Sequence, residues 1–311
     1  MAHLSEAANR PLMQGGRDYM PWIAAASIAV AAAVMGLKYL AYLRTGSAAL
    51  YSDALESVVN VVTAVAALVA IRISARPADR HHQFGHHKAE YFSAVVEGAL
   101  IIVAAILILR EAWEAFQQPR TITEPAMGLA LNGVATVVNA VWSACLLRFG
   151  RQLRSPALRA DGLHLFADVA TSIGVILGVA LAAATGWRVL DPLLAAAVAV
   201  YILYTGWRLT RDSVSGLMDE AVPSDESRRL RRIIADNAEG AIEAHDLRTR
   251  TAGRATFIEF HLVVPGTMSV AEAHRICDKL EEAIGTEVPG AEVLIHVEPE
   301  GEARHRGIVV V

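Results

Sequence analysis

Long apolar stretches fill roughly the first two thirds of the chain, with polar residues gathered at their borders. Six stretches, at about 21–43, 48–73, 91–116, 127–149, 160–184 and 189–208, approach the roughly 20 residues a helix needs to cross a bilayer. Past residue 210 the pattern changes. Residues 224–238 (SDESRRLRRIIADNA) place Ser and Asp ahead of a periodic apolar pattern, a helix start. HDLRTRTAGRATFIEFHLVV alternates on either side of Ala252-Gly253 and reads as a β-hairpin. Ser269–Glu287 is helical by period, with Ala271, Ile276, Leu280 and Ile284, and Glu292–Glu298 is a third strand. The order αββαβ predicts a small α+β sandwich on a three-stranded sheet. For Gly301–Val311 the pattern predicts no element.

The expected organisation is therefore an N-terminal segment (1–20), a six-span all-α transmembrane domain (21–210) and a soluble domain (211–311). Composition agrees: 54% of the 311 residues are hydrophobic and 19% charged, with a mean hydropathy of +0.37. A net charge of −4 is too small to imply nucleic acid. Arg10 and Arg17 precede an apolar run too long for a signal peptide, so the first span is expected to be retained. Arg72, Arg76, Arg80 and Lys88 follow span two, and Arg148, Arg151, Arg154 and Arg159 follow span four. The opposite loops hold little beyond Arg44, Arg120 and Arg188. The positive-inside tendency then puts both termini and the soluble domain in the cytoplasm. Cys145 and Cys277 fit no disulfide or CxxC spacing and read as free thiols.

Candidate chemistry begins with two spacings, Glu56-x-x-x-Asn60 in span two and His164-x-x-x-Asp168 in span five. Residues four apart share a helix face, and an ionisable group within a membrane span is expensive and points to function. Turned toward each other, these faces would surround a divalent cation with imidazole, carboxylate and amide donors. Histidine, whose ordinary pKa lies near about 6.5, could release a proton as metal binds, which links metal and proton affinity. The plainer alternative, interhelical hydrogen bonding, suits single residues such as Asn132 and Asn139 better than this group. Asp53 and Asp161 lie three residues before the first candidate of each pair. They read as outer partners, alternative ligands or helix-start charges.

Two further clusters involve histidines. Asp79, His82 and His86 lie in the RHHQFGHHK loop, where a His-rich tract can bind metal or be merely solvated. In the soluble domain, His261 and His296 occupy mid-strand positions, and Glu298 shares a face with His296. His245 and His274 complete that group. No HExxH motif and no nucleophile–base constellation stands out, so a transporter rather than an enzyme is expected.

The segments SAALYSDALESVVNVVTA, PADRHHQFGHHKAEYFSA, ADGLHLFADVATS, Leu190-Asp191-Pro192, HDLRTRTAG, FIEFHL and VLIHVEP resemble, in this order, the cation diffusion facilitator family of divalent-metal transporters. The resemblance covers nearly the whole chain. It implies a ferredoxin-like cytoplasmic domain and a homodimer in the bacterial inner membrane that exports divalent metal in exchange for protons. By the same resemblance, Glu56, Asn60, His164 and Asp168, with Asp53 as a further candidate, form the transport site. Asp79, His82 and His86 form a loop site. His245, His261, His296 and Glu298 form a tail site, with His274 an outlying candidate. Lys88 and Asp219 would form an intersubunit salt bridge.

One departure affects the substrate. Zinc exporters of this type usually carry Asp or His, then Asp, where this chain has Glu56 and Asn60. An amide is a weaker oxygen donor than a carboxylate and takes up no proton. His164 favours zinc or ferrous iron over an oxygen-seeking ion such as magnesium, with manganese, cobalt and cadmium as further candidates. Asn60 also leaves open an alternative, a transport-impaired sensor or assembly subunit that binds regulatory metal in its tail.

Overall fold

The computed structural model describes residues 19–45, 48–117, 126–185, 189–304 and 307–309. These fall into two compact units, one ending at Val214 and the other beginning at Ser215. The first is helical: α1 (Met20–Thr45), α2 (Ala48–Ser74), α3 (Ala89–Gln117), α4 (Ala126–Gln152), α5 (Pro156–Thr185) and α6 (Leu190–Leu217). Each has 26–30 residues, about 40 Å at 1.5 Å per residue. Four of them contain membrane-spanning apolar segments among the described residues: Met20–Leu40, Ala89–Glu114, Gly133–Gln152 and Pro192–Leu217. The other two, α2 and α5, carry the polar residues singled out above.

Apolar side chains face outward as well as inward in this unit. Trp22, Phe92, Ile106, Val137, Val141 and Leu193 are exposed, as hydrocarbon allows and water does not. Inside, small residues bring helices together, since lipid supplies no hydrophobic drive between them. Ala94 and Ala105 of α3 pack with Ala160 and Ala167 of α5 and with Ile202 and Leu209 of α6. At Gly98 a Cβ atom would lie 2.4 Å from Thr210 Oγ1 and 3.3 Å from the Gly206 carbonyl oxygen. Only glycine lets α3 approach α6 this closely. A second cluster joins Met20 and Ala24 of α1 to Ala67 and Ile71 of α2, Leu146 of α4, and Leu158 and Leu165 of α5.

The second unit runs α7 (Ser224–Asn237), β1 (Glu243–Ala252), β2 (Ala255–Val264), α8 (Val270–Glu287), β3 (Ala291–Pro299), a 3-10 turn (Glu300–Glu302) and β4 (Ile308–Val309). The αββαβ order holds, but the sheet has four strands, in the order β3-β2-β1-β4. The expectation of three strands missed β4 because its contribution is two residues paired with Glu243 and Ala244. Gly307 makes that pairing possible, since a Cβ there would lie 2.4 Å from the Ala244 carbonyl oxygen. β1 and β2 are antiparallel, while β2 and β3 are parallel across the α8 crossover. Ser269 opens α8 with a capping box: its side chain accepts from Glu272 N–H, and the Glu272 carboxylate accepts from Ser269 N–H. That reciprocal bond satisfies two backbone donors.

Leu230 and Ile234 of α7 and Leu280 and Ile284 of α8 close over Ile258, Phe260 and Leu262 of β2. Leu280 is fully buried, and removing its methyl groups opens a cavity that costs about 2–5 kcal/mol. Leu280→Ala should therefore lower the urea midpoint of the soluble unit, followed by circular dichroism. The exposed Val270→Ala on the same helix should change it little.

Candidate metal centres

The polar constellation within the membrane unit spans α2 and α5. Asn60 is 3% exposed, His164 5% and Asp168 9%. Asn60 Nδ2 donates to Asp168 Oδ2 at 2.5 Å, and Asn60 Oδ1 lies 2.9 Å from His164 Nε2. With its Nδ2 donating to the carboxylate, the amide oxygen is left as acceptor, so the imidazole Nε2 carries the hydrogen in this arrangement. The three groups thus hold one another across two helices. A cation entering there must replace those hydrogen bonds with metal–ligand bonds. Glu56 and Asp53 belong to α2, but their side chains lie outside the described residues. Asn139 is a buried residue of α4, and the Asn132 side chain also lies outside the described residues.

Asp161 is 2% exposed. It accepts from Ser27 Oγ of α1 at 2.5 Å, and Trp142 Nε1 of α4 in turn donates to Ser27 Oγ at 3.1 Å. Its described hydrogen bond leads toward α1 and away from Asn60. Lower on the same helices, Glu90 of α3 is 1% exposed. It accepts from Ser74 Oγ at 2.6 Å and from Ser155 Oγ, tying the end of α2 to the start of α5.

The loop between α2 and α3 is organised by Asp79. Its Oδ1 accepts backbone N–H groups from His82 at 2.7 Å and His81 at 2.8 Å. His82 Nδ1 and His86 Nε2 each come within 3.4 Å of the carboxylate, and their rings lie 4.3 Å apart. Ligand atoms of Asp79, His82 and His86 lie within 4.8 Å of one another, close enough for one divalent ion. The buried Nδ1 of His86 has no hydrogen-bond partner.

The soluble unit places three imidazoles in a row on adjacent strands. His245 pairs with His261 in β1–β2 register, and His261 with His296 in β2–β3 register. Their ring centroids are 5.3 and 5.0 Å apart. Glu298 reaches the row from β3: its Oε1 lies 2.8 Å from His261 Nδ1 and its Oε2 3.3 Å from His245 Nε2. His296 Nε2 is 3.8 Å from the same carboxylate. Despite these approaches, His245 Nδ1 and Nε2, His261 Nδ1 and Glu298 Oε2 make no hydrogen bond. Close donors and acceptors that do not align leave buried polar atoms unsatisfied, which is costly. A shared divalent cation would satisfy them, so these residues fit a bound metal. His274 stands apart on α8, exposed and 3.8 Å from Asp278.

Two acidic residues near the row escape sequence reading. Glu243 Oε1 approaches His245 Nδ1 to 3.2 Å and accepts the Arg304 N–H at 3.0 Å. Its two-residue spacing from His245 was the available signal. Asp246 follows His245 at a register break, with a φ of 53°. Its ligand atom lies within 4.8 Å of those of His245 and His261, and it also meets Arg304 Nη1 at 2.8 Å. A bulge of this kind is not written in alternation. Asp219, with a φ of 63°, lies 3.4 Å from Arg250 Nη1 within the same unit.

Residues 24–218 match the family model described as the cation efflux transmembrane domain, and residues 222–300 match that of the cation efflux protein cytoplasmic domain. The chain belongs to the cation diffusion facilitator family. As a member it is a multi-pass cation-efflux transporter rather than an enzyme, with its second domain in the cytoplasm. Cation diffusion facilitators carry divalent cations, and the cytoplasmic-domain match implies homodimerisation. An uncharacterized transporter of Synechocystis sp. is 45% identical over 273 residues, 88% of this chain and 88% of that one. The cation-efflux pump FieF of Serratia proteamaculans is 33% identical over 276 residues, 89% of this chain and 91% of the relative. FieF of Yersinia pestis is also 33% identical, over 285 residues, 91% of this chain and 94% of the relative. A solved structure of CzrB in its zinc form is 50% identical with a TM-score of 0.27. It covers 28% of this chain and 98% of that one.

In this cation diffusion facilitator, the backbone amides of His82 and His81 hold the Asp79 pKa below its ordinary 3.8. A depressed carboxyl pKa contributes stability that is complete above the unfolded value and lost as pH falls through the folded one. The Asp79 clasp should therefore persist at all pH values above 3.8. Carboxyl-carbon NMR of selectively labelled protein should give a midpoint below that value. A midpoint at or above it would mean the two amides do not engage the carboxylate.

Proposed function

We propose that this protein exports Zn²⁺ or Fe²⁺ from the cytoplasm in exchange for protons, as a homodimer in the bacterial inner membrane. The observation that carries this reading is the buried Asn60–His164–Asp168 constellation spanning α2 and α5. Asn60, His164 and Asp168 would hold the cargo ion with Glu56, and Asp53 as a further ligand. Imidazole among the donors favours zinc or ferrous iron, with manganese, cobalt and cadmium less well matched. A His164 imidazolium would release its Nε2 proton as the ion binds there, keeping Nδ1–H, and the proton's return afterwards would link the ion to a proton.

The other two centres have supporting roles in this reading. Asp79, His82 and His86 would form a loop site. His245, His261, His296 and Glu298 would hold a structural ion that tightens the dimer, with Glu243 and Asp246 beside them and His274 outside. Lys88 and Asp219 would pair across the dimer. The transmembrane domain would occupy residues 21–210, after an N-terminal segment (1–20) and before a cytoplasmic domain (211–311).

Metal-driven proton flux in proteoliposomes tests the transport site. Wild type should acidify or alkalinise the lumen when Zn²⁺ is added, according to the direction of zinc movement, and Asp168→Ala and His164→Ala should fall to background. Equal flux in all three would remove the assignment. For the tail, Glu298→Gln should weaken zinc binding by more than the roughly tenfold that loss of an outer partner can cost, with its sheet intact, measured by calorimetry and circular dichroism.

One observation favours a second reading, a transport-impaired sensor. Asn60 supplies an amide where a carboxylate would carry charge, and it closes the constellation on itself. Asn60→Asp separates the readings. A gain in zinc flux from near zero favours the sensor, whereas robust wild-type flux favours the exporter. In either case two carboxylates would then oppose each other, so zinc should raise the melting temperature of Asn60→Asp more than that of wild type.

A further inference from the structure

Glu97 of α3 is 2% exposed, and among the described residues neither of its carboxyl oxygens has a hydrogen-bond partner. It lies in an apolar span, Ala89–Glu114, two helical turns after Glu90 and on the same face. Glu90 is held by two serine hydroxyls; Glu97 is not. The charge of Asp161 on α5 acts on Glu97; Asp161 is also 2% exposed, its Oδ2 accepts from Ser27, and it feels the charges of His164 and Asp168.

Among the described residues, the other charges on the neighbouring helices are engaged or exposed; on α1, Lys38 is buried and has a partner of its own. On α5, His164 and Asp168 are held by Asn60, and Arg159 lies near the helix start. On α6, Arg208 and Arg211 pair with Asp212 at the exposed side. On α2, Arg72 is exposed, and the Asp53 and Glu56 side chains lie outside the described residues. On α3 itself, exposed Arg110 pairs with Glu114.

We propose that Glu97, buried and without a hydrogen-bond donor, is a proton-carrying station of the membrane domain outside the ligand cluster. Two carboxyls in mutual electrostatic reach and away from water cannot both be ionised cheaply. An ionised carboxylate needs donors, and Ser27 supplies one to Asp161 while Glu97 has none. The proton therefore resides on Glu97 in this state. Its O–H bond breaks when the proton passes to Asp161 or to water, and no electron moves. Asn60 gives this station its significance, because an amide takes up no proton where a carboxylate would. Glu97 supplies a titratable group that the Asn60 position does not.

This inference rests on the proton-coupled reading. The test uses full-length wild type, Glu97→Gln and Glu97→Asp, with Zn²⁺ as the probe. Zinc flux and proton flux are recorded together in proteoliposomes across a range of pH, and zinc affinity is measured in detergent. Glu97→Gln should bind zinc within about twofold of wild type, as a site outside the ligand cluster should. Its log flux against pH should lose a slope of about one, the signature of one missing proton. Glu97→Asp should restore that slope.

An unchanged slope in Glu97→Gln would overturn the assignment while leaving coupling intact. So would a large loss of zinc affinity, which would make Glu97 a metal ligand. Failure of Glu97→Gln to fold while Glu97→Asp folds would also count against it, because a neutral isostere should replace a protonated carboxyl. Wild type that moves zinc without protons would remove the coupling reading itself, and this station with it.

Discussion

Every polar feature of the membrane unit answers to one constraint: a charge placed among apolar helices must find a partner, a proton or a cation. Asn60 is where that constraint is met most economically. Its amide offers a donor to Asp168 and an acceptor to His164, so a single side chain satisfies an anion and an imidazole on the facing helix. Around it, Ala67 of α2 packs with Leu165 of α5, and Ala167 of α5 packs toward α3. Small side chains on these faces leave the polar groups close enough to bond. The packing and the site are thus one arrangement, since the close approach of α2 and α5 that alanine permits also brings Asn60 to His164 and Asp168.

The soluble unit solves a different problem. Its apolar core closes between α7, α8 and the sheet. Yet its sheet carries a row of histidines whose nitrogens approach carboxylates without forming hydrogen bonds. A protein that wanted only a stable sheet would place threonine or valine there. The apolar core and the unsatisfied polar row thus lie on different side chains of the same strands.

Much of this could be read from sequence because periodicity and cost both leave traces. Apolar runs of helical length mark α1, α3, α4 and α6, and the four-residue spacings mark α2 and α5 because charge is rare in such company. His261 and His296 were legible from strand alternation. What escaped reading depends on contacts between distant residues. β4 is two residues long and exists because Gly307 tolerates the Ala244 carbonyl. Asp246 reaches its neighbours through a bulge, and the bond from Ser27 to Asp161 spans 134 positions. No local pattern encodes these. Glu90 and Glu97 lie between the two cases. Their seven-residue spacing in an apolar run was visible, but only the fold shows that one is held by hydroxyls and the other by none.

That difference bears on how a neutral residue can occupy the Asn60 position in a cation transporter. Charge in a membrane site can be balanced locally, by the ligands themselves, or remotely, by a titratable group that feels their field. A site with fewer carboxylates binds its ion less strongly and so also releases it more readily, provided a proton can still be exchanged nearby. In the proposed scheme the ligands at Asn60, His164 and Asp168 select the ion, and Glu97 adjusts the charge. Separating these tasks loosens the tie between the metal chosen and the number of protons moved. A single carboxylate-rich site, in which every ligand both binds and titrates, has no such freedom.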